Sequence, residues 1–126
     1  MNNRNFSYSY PVDQPFLTNV ENEILYQVKR LQHHPSIVLW SGNNENEAAV
    51  AENWYHIPED QMAKVKEDYR TLYVSTVMAA VQQLDQGENR PFVTSSPSNG
   101  QESIKEQYIA ANPQDPLYGE KEIYLF

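Results

Sequence analysis

The chain has no cysteine, so disulfides, zinc–thiolate centres and thiol nucleophiles are all excluded, and cysteine usage leaves the redox compartment unmarked. No stretch approaches the ~18 apolar residues that a bilayer-spanning helix needs. The first ten residues, MNNRNFSYSY, lack the apolar centre of a signal peptide. Basic residues are few: nine against seventeen acidic, for a net charge of −8. No basic cluster exceeds Lys29-Arg30, so a phosphate-tracking surface is missing and nucleic acid is not an expected partner. Nor is a membrane. The acidity bears on solubility and choice of partner rather than on fold.

What is present is a modest but foldable chain. Apolar residues make up 40%, below the roughly 45–50% of an average globular domain. Nine tyrosines, four phenylalanines and two tryptophans argue against disorder, because disordered chains are poor in aromatics. At 126 residues this is one domain at most, or a piece of a larger one. Asn5-Phe6-Ser7 forms a single glycosylation sequon.

Patterning gives the order of elements. Thr18-Asn19-Val20-Glu21 has the form of a capping box, and Val20, Ile24, Val28 and Leu31 follow as one apolar stripe. This predicts a helix with Thr18 as its N-cap, ending before Pro35, with Lys29, Arg30, His33 and His34 in its last turn where they suit the dipole. Ile37-Val38-Leu39-Trp40 is a short apolar run of the kind found in parallel strands covered on both faces. A short helix is expected within 47–56. A long one is expected from about 60 to 85, striped by Met62, Val65, Tyr69, Leu72, Tyr73, Val77, Ala80, Val81 and Leu84 and stopped by Gly87. Phe92-Val93-Thr94 reads as a second strand, 95–100 as a loop, 103–111 as a weak helix and 123–126 as a final strand. Such alternation predicts an α/β fold with parallel strands. Two or three short strands do not make a self-sufficient sheet, and a complete eight-stranded barrel takes roughly 250 residues. The chain has the pattern of about half of one.

The chemistry gathers where the first strand ends, in Ser41-Gly42-Asn43-Asn44-Glu45-Asn46-Glu47. Sites on parallel α/β sheets lie beyond the carboxyl ends of strands. A carboxyl group at such a mouth is partly desolvated, which raises its pKa and lets it donate and then recover a proton near neutrality. A neighbouring amide supplies two donors and an acceptor, suited to a sugar hydroxyl. The plainer alternative is that the amides cap the next helix and both glutamates are solvated.

The stretch "YQVKRLQHHPSIVLWSGNNENEA", with "YPVDQPFL" before it and "NWYH", "DYRTLYV" and "RPFVTSSPSNG" after it, resembles the β-mannosidases of the glycoside hydrolase family that also contains β-galactosidase and β-glucuronidase. The resemblance runs from about residue 10 to 119. It implies a partial (β/α)8 TIM barrel, running from the third barrel helix to the sixth strand and making up one segment of a catalytic domain across residues 1–126. It implies retaining hydrolysis of terminal, non-reducing β-D-mannose in oligosaccharides. Glu45 is then the acid/base and Asn44 the amide that holds the 2-hydroxyl; Glu47 is the competing carboxylate. Trp54 is either a wall of the sugar site or an ordinary core aromatic. Neither a cofactor nor a metal is implied, and the family is typically lysosomal or secreted.

The family's nucleophile lies downstream of the "SSPSNG" loop, and no residue here takes that role: Glu120 and Glu122 are not at the family's position. The resemblance fails over the last seven residues, EKEIYLF. The chain is therefore expected to be inactive alone and to need the other half of the barrel, as a truncated isoform or pseudoenzyme would. Three other functions compete. One is a carbohydrate-binding module without catalysis, and another an interaction segment with open strand edges. The last is a metal site from His33, His34, Glu45, Glu47 and His56, which lacks the i,i+4 spacing of ligands on one helix face.

Overall fold

A computed structural model describes residues 10–85 and 90–118. The first helix, α1, covers Gln14–Leu31. It begins earlier than the capping box predicts. Asp13 is the N-cap, its carboxylate accepting the Phe16 N–H at 3.0 Å, and Pro15 lies in the first turn. The earlier start wins because aspartate caps as well as threonine, and proline there gives up no hydrogen bond. Thr18 sits inside the helix, its hydroxyl accepting from the Gln14 side chain at 3.1 Å. Lys29 and Arg30 occupy the last turn as expected, while His33 and His34 lie beyond it.

The first strand is shorter than the apolar run. Only Trp40–Ser41 (β1) pairs, in parallel, with Phe92–Val93 (β2), Trp40 opposite Phe92 and Ser41 opposite Val93. Trp40 N–H donates to the Pro91 carbonyl at 3.0 Å, but Pro91 has no N–H with which to extend the ladder backwards. Val38 and Leu39 are left 75% and 37% exposed. Beyond Gly42 the pairing resumes as a single parallel bridge between Asn44 and Ser96.

After β1, α2 spans Asn46–Ala51. It is shorter than expected because Asn53 turns to positive φ and its side chain clips the backbone of Ile57 twice, at 2.7 and 3.1 Å. The long helix runs from 59 to 84 as predicted, but in three parts: α3 (Glu59–Tyr69), a π-helical stretch (Arg70–Met78) and α4 (Ala79–Leu84). Its predicted stripe is the core: Tyr69, Leu72, Tyr73 and Val77 are buried with Val50 and Ile109, and Phe16, Val20 and Ile24 of α1 pack against them. A last short helix, α5 (Gln101–Lys105), ends early, with Gln107 and Tyr108 at positive φ. The expected strand at 123–126 lies outside the described residues.

The architecture is thus α/β: helices that pack on one another, with Phe92 of a two-stranded parallel sheet set against their core. The sheet is open, and no barrel closes among the described residues.

Candidate functional site

The site forms where β1 passes into α2. A side chain at Gly42 would put Cβ 2.8 Å from the Thr94 carbonyl oxygen and 3.0 Å from the Phe92 ring, so only glycine lets the two strands approach here. Asn43 then bolts the turn to β2. Its amide nitrogen donates to the Thr94 carbonyl at 2.5 Å, and its side-chain oxygen accepts from Ser95 Oγ at 2.8 Å and from Asn46 N–H at 3.0 Å. Backbone bonds complete the join: Ser96 N–H to Asn43 O at 3.0 Å, and Glu45 N–H to Ser96 O at 2.9 Å.

Held this way, Glu45 takes the left-handed conformation, φ 60° and ψ 0°, as the N-cap residue of α2. Its carbonyl starts the helix by accepting Ala49 N–H at 2.9 Å. Left-handed backbone at a residue with a Cβ costs roughly 1–3 kcal/mol and is concentrated at functional sites.

Glu45 lines a cavity of about 550 Å³ between α1 and the long helix, together with Asn43, Asn44, Asn46, Trp54 and Tyr55. The facing wall is apolar, with Phe16, Val20, Ile24 and Leu72. A mostly apolar hollow with a few convergent polar groups is the usual form of a small-ligand site. Asn46 donates its amide to Tyr73 OH at 3.2 Å on the cavity's edge. Burial, and then the neighbouring Tyr10 and Tyr69, push the Tyr73 phenol upward, so it stays neutral and able to donate. Trp54 is 40% exposed with its indole N–H on Glu52 Oε2 at 2.7 Å. It lines the cavity.

Asn44, Glu45 and Trp54 therefore share one cavity. Glu47 does not join them. Its side chain has no exposure, and Oε1 accepts Ser103 Oγ and Ala110 N–H, each at 2.9 Å. Desolvation pushes its pKa up; the Ala110 and Ser103 bonds oppose this, and the charge of Glu106 adds to it. The expectation that both glutamates are solvated fails here, because the 95–110 segment folds over α2 and covers one of them. The helix-capping alternative holds for Asn43, whose side chain accepts the Asn46 N–H. That Asn43 binds β2, and that Ser95 and Ser103 reach this turn, had no signal in the sequence, since each contact spans about fifty residues.

The rings of His33 and His34 lie with centroids 4.2 Å apart and tilted by 35°, and His56 is at positive φ. No group of three His, Asp or Glu side chains among the described residues could hold a metal ion. Among them, too, no helix is long and apolar enough to cross a membrane.

Comparison with known proteins gives the context. Residues 1–117 match the model for "Glycosyl hydrolases family 2, TIM barrel domain". The chain is 44% identical over 117 residues to a Mus musculus protein named Beta-mannosidase, covering 93% of this chain and 13% of that one. A Bos taurus Beta-mannosidase is 45% identical over 115 residues, covering 91% and 13%. A Caenorhabditis elegans Probable beta-mannosidase is 36% identical over 115 residues, covering 91% and 12%. The chain thus spans about an eighth of the length of these relatives. With a family match across nearly all of its residues, the chain belongs to glycosyl hydrolase family 2, through the match to that family's TIM barrel domain.

Proposed function

We propose that this chain carries the acid/base half of a retaining β-mannosidase site, acting on oligosaccharides with terminal, non-reducing β-D-mannose. Its barrel segment runs from the third helix towards the sixth strand. Glu45 is the acid/base, Asn44 binds the sugar 2-hydroxyl and Trp54 walls the pocket. The observation that carries this reading is that these three side chains line one cavity, in which Glu45 is the only carboxylate among the described residues. The relatives' names point to the same sugar.

In such a mechanism Glu45 gives its proton to the glycosidic oxygen while a second carboxylate attacks the anomeric carbon. The C–O bond to the leaving sugar breaks and a glycosyl–enzyme ester forms. Glu45 then takes a proton from water as that water attacks the same carbon, which frees mannose and restores both carboxyls. The second carboxylate must lie about 5–5.5 Å away, and it comes from outside the described residues. On this reading the segment turns over only together with that carboxylate. By the same reading the protein is lysosomal or secreted.

A second reading is a non-catalytic carbohydrate-binding or interaction segment. The exposed Val38 and Leu39 beside an open two-stranded sheet favour it, since parallel strands are normally covered on both faces. The other strands of a barrel are the partner such an edge fits.

A hybrid separates the two readings. Residues 10–118 would replace the matching segment of the mouse Beta-mannosidase, and hydrolysis of aryl β-D-mannosides would be followed. The expected result is an active hybrid that loses about 10²–10⁴-fold on Glu45→Gln. The loss is smaller for a dinitrophenyl leaving group, which needs no proton. A folded hybrid without turnover, or one indifferent to Glu45→Gln, overturns the acid/base reading.

A further inference from the structure

We propose that Glu47 is the positioning residue for Glu45: its buried carboxylate locks the turn that carries the acid/base onto the 95–110 segment. The inference rests on the assignment of Glu45 as acid/base. It also explains why the motif holds two glutamates two residues apart.

Three observations carry it. First, a single oxygen, Glu47 Oε1, accepts both Ser103 Oγ and Ala110 N–H at 2.9 Å. These donors lie 56 and 63 residues along the chain, so the bond pair ties α2 to both ends of the stretch that follows α5's start. Second, the ties of Glu47 and Glu45 converge. Glu47 N–H donates to Ser95 Oγ at 3.3 Å, and Ser95 Oγ donates in turn to Asn43 Oδ1 at 2.8 Å. Glu45 N–H meets the next residue, Ser96, at 2.9 Å. A rotation of α2 that moved the Glu45 carboxyl would unhook Glu47 from Ser103 and Ala110. Third, Glu47 is fully buried, and its other oxygen, Oε2, has no hydrogen-bond partner among the described residues.

A buried carboxyl with one oxygen unused is costly, and filling space alone would favour an apolar side chain. What an apolar side chain lacks is an acceptor for two buried donors. Desolvation raises the Glu47 pKa, and the charge of Glu106 adds to this. The protonated acid keeps Oε1 as acceptor, so the lock does not depend on charge.

The test compares Glu47→Gln, which keeps the acceptor, with Glu47→Leu, which removes it. In the 126-residue chain, amide hydrogen exchange is read at Glu45 and across residues 59–84. In Glu47→Leu, exchange at Glu45 is expected to quicken by about ten-fold more than in the long helix, as stranding two buried donors implies. Glu47→Gln restores protection at Glu45. Equal acceleration at both places, or a Gln variant that behaves like Leu, overturns the proposal. In the hybrid with the mouse Beta-mannosidase, taken as parent, kcat on an aryl β-D-mannoside falls about 10²-fold in Glu47→Leu with KM little changed, the cost of a misplaced catalytic group. Glu47→Gln recovers most of that loss. Equal kcat in both variants and parent also overturns it. A parent without turnover instead counts against the β-mannosidase reading, while the exchange result still decides the lock.

Discussion

The indole N–H of Trp40 donates to Asp85 Oδ2 at 2.8 Å, joining the start of β1 to the end of the long helix. The other oxygen of Asp85 pairs with Arg90. Arg90 reaches on to the carbonyls of Ile37 and Gln32, at 2.8 and 2.7 Å. One buried ion pair therefore anchors the chain entering β1 to the end of the long helix, upstream of the turn that carries Asn44 and Glu45.

Breaking that pair from one side leaves an uncompensated buried charge. Arg90→Met is expected to cost about 3–5 kcal/mol, read as a lower denaturant midpoint. Arg90→Met combined with Asp85→Asn should cost less than the two single changes added together. Additive losses would show that the pair is not coupled.

Gly42→Ala tests the close approach of the strands. The new Cβ meets the backbone oxygen of Thr94 at 2.8 Å, and a backbone atom pinned by the Asn43 amide just past β2 cannot swing aside freely. A loss of about 1–3 kcal/mol is expected from the overpacking. An unchanged unfolding midpoint would mean that the two strands lie further apart than this.

Glu45→Gly and Glu45→Ala isolate the backbone strain. Both variants remove the carboxyl, yet only alanine keeps a Cβ at φ 60°. The glycine variant should be the more stable by roughly 0.5–1 kcal/mol, a reversal of the usual order. Alanine proving more stable would mean that the turn is not left-handed.

Stability should also carry the mark of Glu47. Its folded pKa lies above the ordinary value of 4.5, so the folded state holds this proton more tightly than the unfolded state does. Stability from this group is greatest below 4.5 and falls as pH rises towards the folded pKa. The unfolding free energy of the parent minus that of Glu47→Gln should decline across that window and then level off. A difference that rises there would mean a carboxyl stabilised as its anion.

Legibility followed range along the chain. The stripe from Tyr69 to Val81 was visible because helical periodicity is local and its residues became the core. The start of α1 is not legible locally, because Asp13-Gln14-Pro15 and Thr18-Asn19-Val20-Glu21 are both good start signals and local patterning does not rank them. The expected strand at 37–40 is cut short by a missing N–H at Pro91, just before β2 and about fifty residues away.

The sequence by itself determined the helices, the two parallel strands, the absence of thiol chemistry and the motif that places polar groups after the first strand. Periodicity, composition and cap residues act within a few positions, so one chain read alone contains them. Tertiary structure decided which of two glutamates meets the cavity. Glu45 is turned outward by a left-handed backbone held by Ser96, and Glu47 is buried beneath Ser103 and Ala110. Two identical side chains two residues apart differ in backbone conformation and in what the distant chain packs over them, and both are set by tertiary contacts.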